Sequence, residues 1–215
     1  MLTKRAQSRQ LIDLFHTGVS HSYQKGEFII RPGETPPGIF FIESGLVKVY
    51  DITKYGEENL LIFRKTGEFL AVTWALTGQG RHIIYSAVTP TVLWQLTSKK
   101  FLKFLQKHPE ATMPVLEKIV DMYRLQSERI INLEYRTVRE RLISFLLTAA
   151  DRFGAKSKKG TLIELPLRHQ DIASSINSSR ETTSREMAYL ERKGLISDEQ
   201  SFITLHNIKQ LKSYL

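Results

Sequence analysis

The chain has 215 residues, of which 41% are hydrophobic and 25% charged, an ordinary composition for a folded protein of one or two domains. No apolar run approaches the roughly 20 residues of a membrane span, and the N-terminus has no apolar signal region, so we expect a cytoplasmic protein with no membrane partner. The absence of cysteine excludes disulfides, thiol switches and cysteine-held zinc or iron–sulfur clusters. The net charge of +9 suits a nucleic-acid partner or simple solubility, and because both halves of the chain are basic it does not locate a site.

Short β-rich runs separated by glycine-bearing turns recur from Tyr23 to Leu96. The runs are Glu27–Ile30, Ile39–Ile42, Leu46–Tyr50, Asn59–Phe63, Phe69–Val72, Ile83–Tyr85 and Val92–Leu96. Strands and turns at about ten-residue spacing are typical of an antiparallel barrel or a double-sheet roll. We therefore predict an N-terminal β-roll over residues 1–108, a fold that commonly encloses a small ligand.

Helical patterns dominate from about Ser98, with a short helix predicted over Lys99–Lys107 and a long one from Pro109 to about Arg136. The long helix carries a stripe in alternating steps of three and four residues, formed by Leu116, Val120, Tyr123, Ser127 and Ile130. This spacing suits the seam of a parallel coiled-coil dimer, so 109–136 is interpreted as a dimerisation helix. The alternative is that the stripe packs on the roll. Gln126 and Ser127 interrupt the apolar seam, and as buried polar groups they would need partners from the other subunit or from a ligand.

The run from Asn177 to Leu195 has the pattern of a DNA recognition helix. Ser178 stands three residues before Glu181 in the spacing of a capping box, and Gly194 follows the last turn as a stop signal. These signals predict a helix of about four turns.

The two faces of this predicted helix differ in chemistry. One face, predicted to pack inward, carries Thr183, Met187 and Leu190, and the opposite face carries Arg180, Glu181, Ser184 and Arg185. The first turn of a recognition helix enters the major groove, where arginine suits guanine O6 and N7 and glutamate accepts from cytosine N4. The alternative is an ordinary surface helix with solvated ion pairs between residues four apart.

The flanking segments support a winged helix-turn-helix over residues 137–215. A short helix is predicted over Leu167–Ile176, followed by a tight turn in which Asn177 tolerates a left-handed conformation. Leu195–Ile196 and Phe202–Leu205 flank a polar stretch and predict a two-stranded wing. The basic, hairpin-like stretch Lys156–Gly160 is interpreted as a solvated loop, with contact to RNA polymerase or to phosphates as the alternative.

The order of glycine-punctuated roll, long helix and winged helix-turn-helix resembles the CRP/FNR family of bacterial transcription regulators across nearly the whole chain. The resemblance rests on Lys25-Gly26-Glu27, Gly33-Glu34 and Phe40–Val49 in the roll, and on Gln170–Ala173, Ser179–Thr182 and Arg185 in the C-terminal part. It implies an α+β fold: an antiparallel β-roll like the jelly roll of cyclic-nucleotide-binding domains, a long dimerisation helix and a C-terminal winged helix-turn-helix. It also implies a transcription regulator and not an enzyme.

For the output half, the resemblance implies double-stranded DNA as the partner of a homodimer and RNA polymerase as a further protein partner. Arg180, Glu181 and Arg185 are expected to read base edges, and His169, Gln170 and Ser179 to help hold phosphates. Because the three base readers match the CRP branch, we expect a two-fold site with TGTGA-like half-sites.

The expected effector pocket departs from the family pattern. Cyclic-AMP-binding relatives carry a Gly-Glu pair, whose glutamate takes the ribose hydroxyl, and an Arg-Ser pair that holds the cyclic phosphate. These places look like Ala71-Val72 and Arg81-His82 here, and a purine-contacting Thr-Ser pair corresponds to Gln126-Ser127. Valine cannot accept a hydrogen bond, so cyclic AMP is not the predicted effector. The candidate effector pocket comprises Val72, Arg81, His82, Tyr123, Gln126 and Ser127.

The sequence is compatible with several effectors and with alternative functions. The effector is another acidic or apolar metabolite, or there is none and control lies in expression level. Haem would need an axial ligand, for which His16, His21, His82 or His108 are available, although lone histidines are more often structural. The alternative functions are a cyclic-AMP-dependent CRP-type activator and a small-molecule sensor module acting on a protein partner. A metal-dependent enzyme with a cupin-like roll is not favoured, because no strand brings two histidines together, and no metal site is predicted.

Overall fold

The computed structural model describes residues 4–79 and 82–215, which form two compact units. The first unit ends at Arg124 and the second is Leu125–Leu215. The boundary lies inside the long helix α4 (Thr112–Tyr135), so each unit contains part of that helix. The predicted division into 1–108, 109–136 and 137–215 treats the helix as a separate segment and stays a prediction. Within the described residues, no helix is both long and apolar enough to cross a bilayer.

The first unit contains the predicted antiparallel β-roll. Its strands are β1 (Val19–Tyr23), β2 (Phe28–Ile30), β3 (Ile39–Ser44), β4 (Leu46–Ile52), β5 (Glu58–Lys65), β6 (Phe69–Leu70), β7 (Ile84–Ala87) and β8 (Thr91–Leu96). They form two four-stranded antiparallel sheets, in the orders β1-β8-β3-β6 and β2-β7-β4-β5. At the β3–β4 turn Gly45 has φ 98°, and a Cβ there would collide with Thr91. The roll predicted from the strand spacing is therefore confirmed.

Strand β3 explains how the roll is packed, because both of its faces are buried. Phe40 and Ile42 point into a core with Val47, Val49, Leu93 and residues of β2, which lies between the two sheets. Ile39 and Phe41 point the other way, into a core shared with the helices of this unit. A strand that is covered on both faces has a continuous apolar sequence, as Ile39–Ile42 does.

The helices of the first unit are α1 (Lys4–Phe15), α2 (Val72–Thr77), α3 (Ser98–Lys107), a 3₁₀ turn (Pro109–Ala111) and the start of α4. Helix α1 buries Leu11 and Phe15 against the outer face of β3. The strand predicted over Phe69–Val72 is wrong at its end: β6 stops at Leu70, because Ala71 adopts a left-handed conformation (φ 58°, ψ 20°) and Val72 begins α2. The sequence pattern also missed α1 and β1.

The second unit is a winged helix-turn-helix. After the end of α4 come α5 (Val138–Phe153), β9 (Gly154–Ser157), β10 (Gly160–Ile163), α6 (His169–Ser175), α7 (Arg180–Arg192), β11 (Ile196–Glu199), β12 (Phe202–Leu205) and α8 (Ile208–Lys212). Its sheet has the order β11-β12-β10-β9. The predicted wing hairpin, β11–β12, is present as half of a four-stranded sheet. The other half is the β9–β10 hairpin, which contains Lys156–Gly160, so this stretch is not a simple loop.

Candidate nucleic-acid interface

The bounds of α7 are set by a serine cap and a glycine stop. Ser179 is the N-cap, and its hydroxyl accepts a hydrogen bond from the Thr182 amide at 3.1 Å. The cap predicted at Ser178 is therefore wrong by one residue, and with Glu181 at the second helical position there is no capping box. At the other end Gly194 adopts φ 67° and the Leu195 amide donates to the Leu190 carbonyl at 3.0 Å, the pattern of a Schellman motif.

The predicted division of α7 into two faces is confirmed by burial except at Ser184, which was expected on the exposed face and is half-buried. Thr183, Met187 and Leu190 are at most 1% exposed, whereas Arg180, Glu181 and Arg185 are exposed. Among the described residues, the side chains of Arg180 and Glu181 make no hydrogen bond or ion pair, and Arg185 donates only to the Thr182 hydroxyl at 3.2 Å. Two guanidinium groups and one carboxylate at the start of the helix are thus free to meet the edges of base pairs.

Helix α6 and the turn before α7 have the predicted arrangement with one shift. Asn177 has φ 50°, as expected for a left-handed turn position, and the Ser178 amide donates to the Ala173 carbonyl at 3.0 Å. The helix begins at His169 and not at Leu167, because the Leu167 amide donates to the Ser201 carbonyl at 2.8 Å. That bond ties the segment before α6 to the wing.

Helix α7 is also anchored to α5. The Arg139 guanidinium donates to the Glu186 carboxylate at 2.6 Å and stacks on the Tyr189 ring, with 3.7 Å between the guanidinium carbon and the ring centroid. The hydrogen bond that Arg139 donates to Glu186 raises the pKa of Arg139 above its ordinary value. These contacts fix α7 to α5 and leave the side chains of Arg180 and Arg185 exposed.

The three residues expected to support phosphate binding lie in different surroundings. Gln170 is exposed, and Ser179 is exposed but uses its hydroxyl as the N-cap. His169 is half-buried: its Nδ1 lies 2.8 Å from the Ser184 hydroxyl, and its Nε2 lies 3.3 Å from an Asp198 carboxylate oxygen. No sequence pattern indicates this link, because Ser184 and Asp198 lie on separate elements that only the fold brings to His169.

The stripe predicted as a dimer seam is largely exposed. Leu116, Val120 and Tyr123 are 47%, 54% and 72% exposed, and Ile130 is 56% exposed. Ser127 is half-buried. In the first unit a different face of α4 packs inward, where Val115 is 2% exposed and Ile119 lies against the same core. The residues of the stripe in this unit are thus not the face that packs on the roll.

Comparisons with known proteins match both units. Residues 20–108 match the cyclic nucleotide-binding domain, and residues 140–214 match the Crp-like helix-turn-helix domain. The chain is 31% identical over 192 residues to the global nitrogen regulator of Synechocystis sp., covering 88% of this chain and 85% of that protein. The chain belongs to the CRP/FNR family of transcription regulators. It is also 25% identical to the cAMP-activated global transcriptional regulator CRP of Salmonella typhimurium, over 88% of this chain and 90% of that protein.

Solved structures of other proteins share the fold. FixK2 from Bradyrhizobium japonicum superimposes with a TM-score of 0.79 at 20% identity, over 91% of this chain and 96% of that one. TTHB099 from Thermus thermophilus, described as a transcriptional regulator of the CRP family, has a TM-score of 0.75 at 25% identity, over 90% and 95% of the two chains. These structures confirm the predicted fold class, and the match of residues 140–214 to the Crp-like helix-turn-helix domain confirms the predicted helix-turn-helix.

The residues predicted for the effector pocket of this CRP/FNR member belong to both units. Val72 is buried in the core that contains Phe15 and Phe41, whereas His82 is exposed and Tyr123 is 72% exposed. Gln126 and Ser127 are half-buried in the second unit, and Arg81 lies outside the described residues.

A groove in the first unit is lined by Arg64, Glu68, Phe69, Val72, Val115, Lys118, Ile119 and Met122. Among the residues predicted for the effector pocket that the structure describes, Val72 alone lines this groove. Arg64 and Glu68 form an ion pair at 3.3 Å within the groove. No cluster of three or more histidine, aspartate or glutamate side chains that could hold a metal ion occurs among residues 4–79 and 82–215.

Proposed function

We propose that this CRP/FNR regulator acts as a homodimer on a two-fold DNA site with TGTGA-like half-sites. Arg180, Glu181 and Arg185 read the base edges, and an effector other than cyclic AMP, or none, controls binding. RNA polymerase is the expected protein partner of the DNA-bound dimer.

The observation that carries the proposal is the exposure of Arg180, Glu181 and Arg185 on a helix whose opposite face is fully buried. Arginine can donate two parallel hydrogen bonds to guanine O6 and N7, and glutamate can accept from cytosine N4. The three residues fall within the first two turns, the part of a recognition helix that contacts base edges. The same three side chains at this spacing are the basis for expecting a TGTGA-like half-site.

The proposed dimer is supported by the exposed apolar side chains of α4. Leu116, Val120 and Tyr123 are each about half exposed or more, follow the three- and four-residue steps of a coiled-coil seam and face away from the roll. A contiguous apolar stripe on one helix is best removed from water by a symmetric copy of itself. A two-fold dimer would also present two recognition helices to the two halves of a symmetric site.

The proposal excludes cyclic AMP because of the chemistry at Val72. This side chain is 8% exposed, packs among apolar residues and offers no acceptor for a ribose hydroxyl. The interior between the two sheets is occupied by apolar side chains, among them Phe40, Ile42 and Leu93. Calorimetry with cyclic AMP tests this point, and binding at micromolar concentration would overturn it.

The test of base reading is a gel-shift titration on a palindromic TGTGA-type duplex and on a scrambled duplex at one fixed salt concentration. We expect Arg180→Ala to lose about 1–3 kcal/mol of specific binding, the value of one bidentate base contact. Arg192→Ala is the matched control, because Arg192 is an exposed arginine in the last turn of the same helix. Equal binding and equal preference by wild type and Arg180→Ala would contradict the assignment. No preference by any protein would favour the alternative of a sensor module acting on a protein partner.

The dimer is tested by sedimentation. Val120→Glu places a charge in the proposed seam and is expected to shift the protein to monomer and to weaken binding to the palindrome. Val19→Glu is the matched control, because Val19 is a similarly exposed valine, 61% against 54%, on strand β1. Two variants with the same oligomeric state would contradict the seam.

A further inference from the structure

A hydrogen-bonded bridge runs from the recognition helix to the wing through His169, the first residue of α6. Its Nδ1 meets the Ser184 hydroxyl of α7 at 2.8 Å, and its Nε2 meets the Asp198 carboxylate of β11 at 3.3 Å. The side chains of His169 and Asp198 are 33% and 20% exposed, so the bridge is partly shielded from water. One imidazole thus touches both elements that a winged helix-turn-helix brings to DNA.

The chemistry of imidazole allows the bridge in two protonation states. In the neutral ring Nε2–H donates to Asp198, and Nδ1 accepts from the Ser184 hydroxyl. In the protonated ring both nitrogens donate, and the contact with Asp198 becomes a charge-assisted hydrogen bond, which is stronger. Histidine is the side chain whose charge ordinarily changes between pH 5 and 8.

Arg180 and Glu181, one turn before Ser184 on α7, make no hydrogen bond or ion pair among the described residues, whereas other charged groups near the bridge have partners. On α6 itself Asp171 is paired with Arg168 at 3.0 Å. On α7 the Glu191 carboxylate accepts from the Asp198 amide at 3.1 Å.

The remaining groups are likewise held. The second carboxylate oxygen of Asp198 accepts from the Ser201 amide at 3.0 Å. Between α5 and α7, Arg139 and Glu186 are paired with each other. Asp198 is therefore the carboxylate that meets the ring, and it is held in place by the turn of the wing.

We infer that His169 is a positioning residue that ties the recognition helix to the wing, and that its protonation strengthens DNA binding as the pH falls. The inference rests on the proposed function. DNA adds phosphate charge beside a partly exposed ring, so the protonated protein binds DNA more tightly than the neutral one. By linkage, DNA binding then takes up a proton, and affinity rises as pH falls, by at most about tenfold per pH unit for one group.

The experiment measures affinity for the palindromic duplex by fluorescence anisotropy between pH 8 and pH 6 at constant ionic strength. We expect the wild type to gain about three- to tenfold over this range, the effect of one histidine. His169→Gln should show less than about a twofold gain. Asp198→Asn is the sharper variant, because an amide can still bridge Ser201 and the ring but has no negative charge to stabilise the protonated ring.

Glu199→Gln is the matched control, since it removes the same charge from the next residue of the same strand, where Glu199 is paired with exposed Lys159. His206→Gln controls for another histidine of this unit, one that contacts the Lys159 carbonyl. Both controls should keep the wild-type dependence on pH, even if their absolute affinities differ.

The outcomes separate the two proposals. If the wild type binds specifically but His169→Gln and Asp198→Asn keep its pH dependence, the role of His169 is wrong and the proposed function stands. A purely structural role would lower the affinity of the His169→Gln variant equally at all pH values, which also contradicts the inference. If no protein prefers the palindrome at any pH, the proposed function itself fails.

Discussion

Thr183 provides a test of how α7 is held in place. Its side chain is fully buried on the inward face of the recognition helix, and its hydroxyl has no hydrogen-bond partner in the described structure. Thr183→Val keeps the shape and the branching at Cβ but replaces the hydroxyl with a methyl group. The variant therefore isolates the effect of one unpaired buried hydroxyl.

The expected magnitude follows from opposing effects of very different size. A buried hydroxyl without a partner costs about 1–3 kcal/mol relative to an apolar group in the same place. Valine and threonine have nearly equal helix propensities, so the backbone contributes little. We expect Thr183→Val to raise the free energy of unfolding of the second unit by about 1–2 kcal/mol, toward the lower end because the extra methyl must fit a packed core.

Two further substitutions serve as controls. Thr183→Ala removes the hydroxyl and also the methyl group, so the cavity it leaves should make it less stable than the valine variant. Thr182→Val removes a hydroxyl that is bonded to both Ser179 and Arg185, so it should give no gain in stability. Neither Thr183 variant should change the affinity for DNA by much, because the residue is buried on the side of α7 away from Glu181 and Arg185.

The assay must report on the second unit. Both tryptophans, Trp74 and Trp94, lie in the first unit, so their fluorescence does not follow the unfolding of α7. Native-state hydrogen exchange of the α7 amides gives the local free energy of opening directly. If Thr183→Val is no more stable than wild type, the hydroxyl must be paired in solution, for example with a carbonyl of the preceding turn, and the reasoning fails.

Two further predictions concern the same unit. The wing turn places Gln200 and Ser201 at φ 56° and 71°, which Asn-Gly adopts far more easily. The double substitution Gln200→Asn with Ser201→Gly should therefore stabilise the β11–β12 hairpin by about 1 kcal/mol. Slower hydrogen exchange of the β12 amides would confirm this stabilisation, and faster exchange would argue against strain in the turn. At the start of α5, hydrogen bonds from the Thr137 hydroxyl and amide hold the pKa of Glu140 below its ordinary value. A lowered pKa means that Glu140 contributes its full stabilisation above the pKa of glutamate in the unfolded chain, and that this contribution is lost as the pH falls through the pKa in the folded protein. The free energy of unfolding should therefore fall less steeply with acid for Glu140→Gln than for the wild type. An unchanged curve would count against the capping box.

Much of the fold could be predicted from the sequence because it depends on local periodicity. Ile39–Ile42 and Leu46–Tyr50 have strand composition and lie between glycine turns, and both are strands of the roll. Thr183, Met187 and Leu190 recur at helical spacing, and all three are buried on one side of α7. A repeat of this kind is set by the geometry of the backbone, so it can be read without knowing what covers it.

The predictions that failed turned on single residues or on contacts distant in the chain. Two adjacent serines were equally suited to cap α7, and the fold chose Ser179 over Ser178 because the turn after Asn177 leaves Ser179 as the last extended residue. Ala71 ended a strand early through a left-handed conformation that its residue type disfavours. Local propensities differ too little at such positions to decide the outcome, so tertiary packing decides it.

Which exposed side chains α7 carries could be predicted from the sequence, because the placement of Arg180, Glu181 and Arg185 on the helix follows from their spacing. What holds that helix in place depends on how the elements pack. Arg139 reaches Glu186 from another helix, and His169 joins Ser184 to Asp198 across three elements. Those contacts are made between residues far apart in the chain, and no periodic pattern records them, because their distances are fixed by how the elements pack and not by how the chain is ordered.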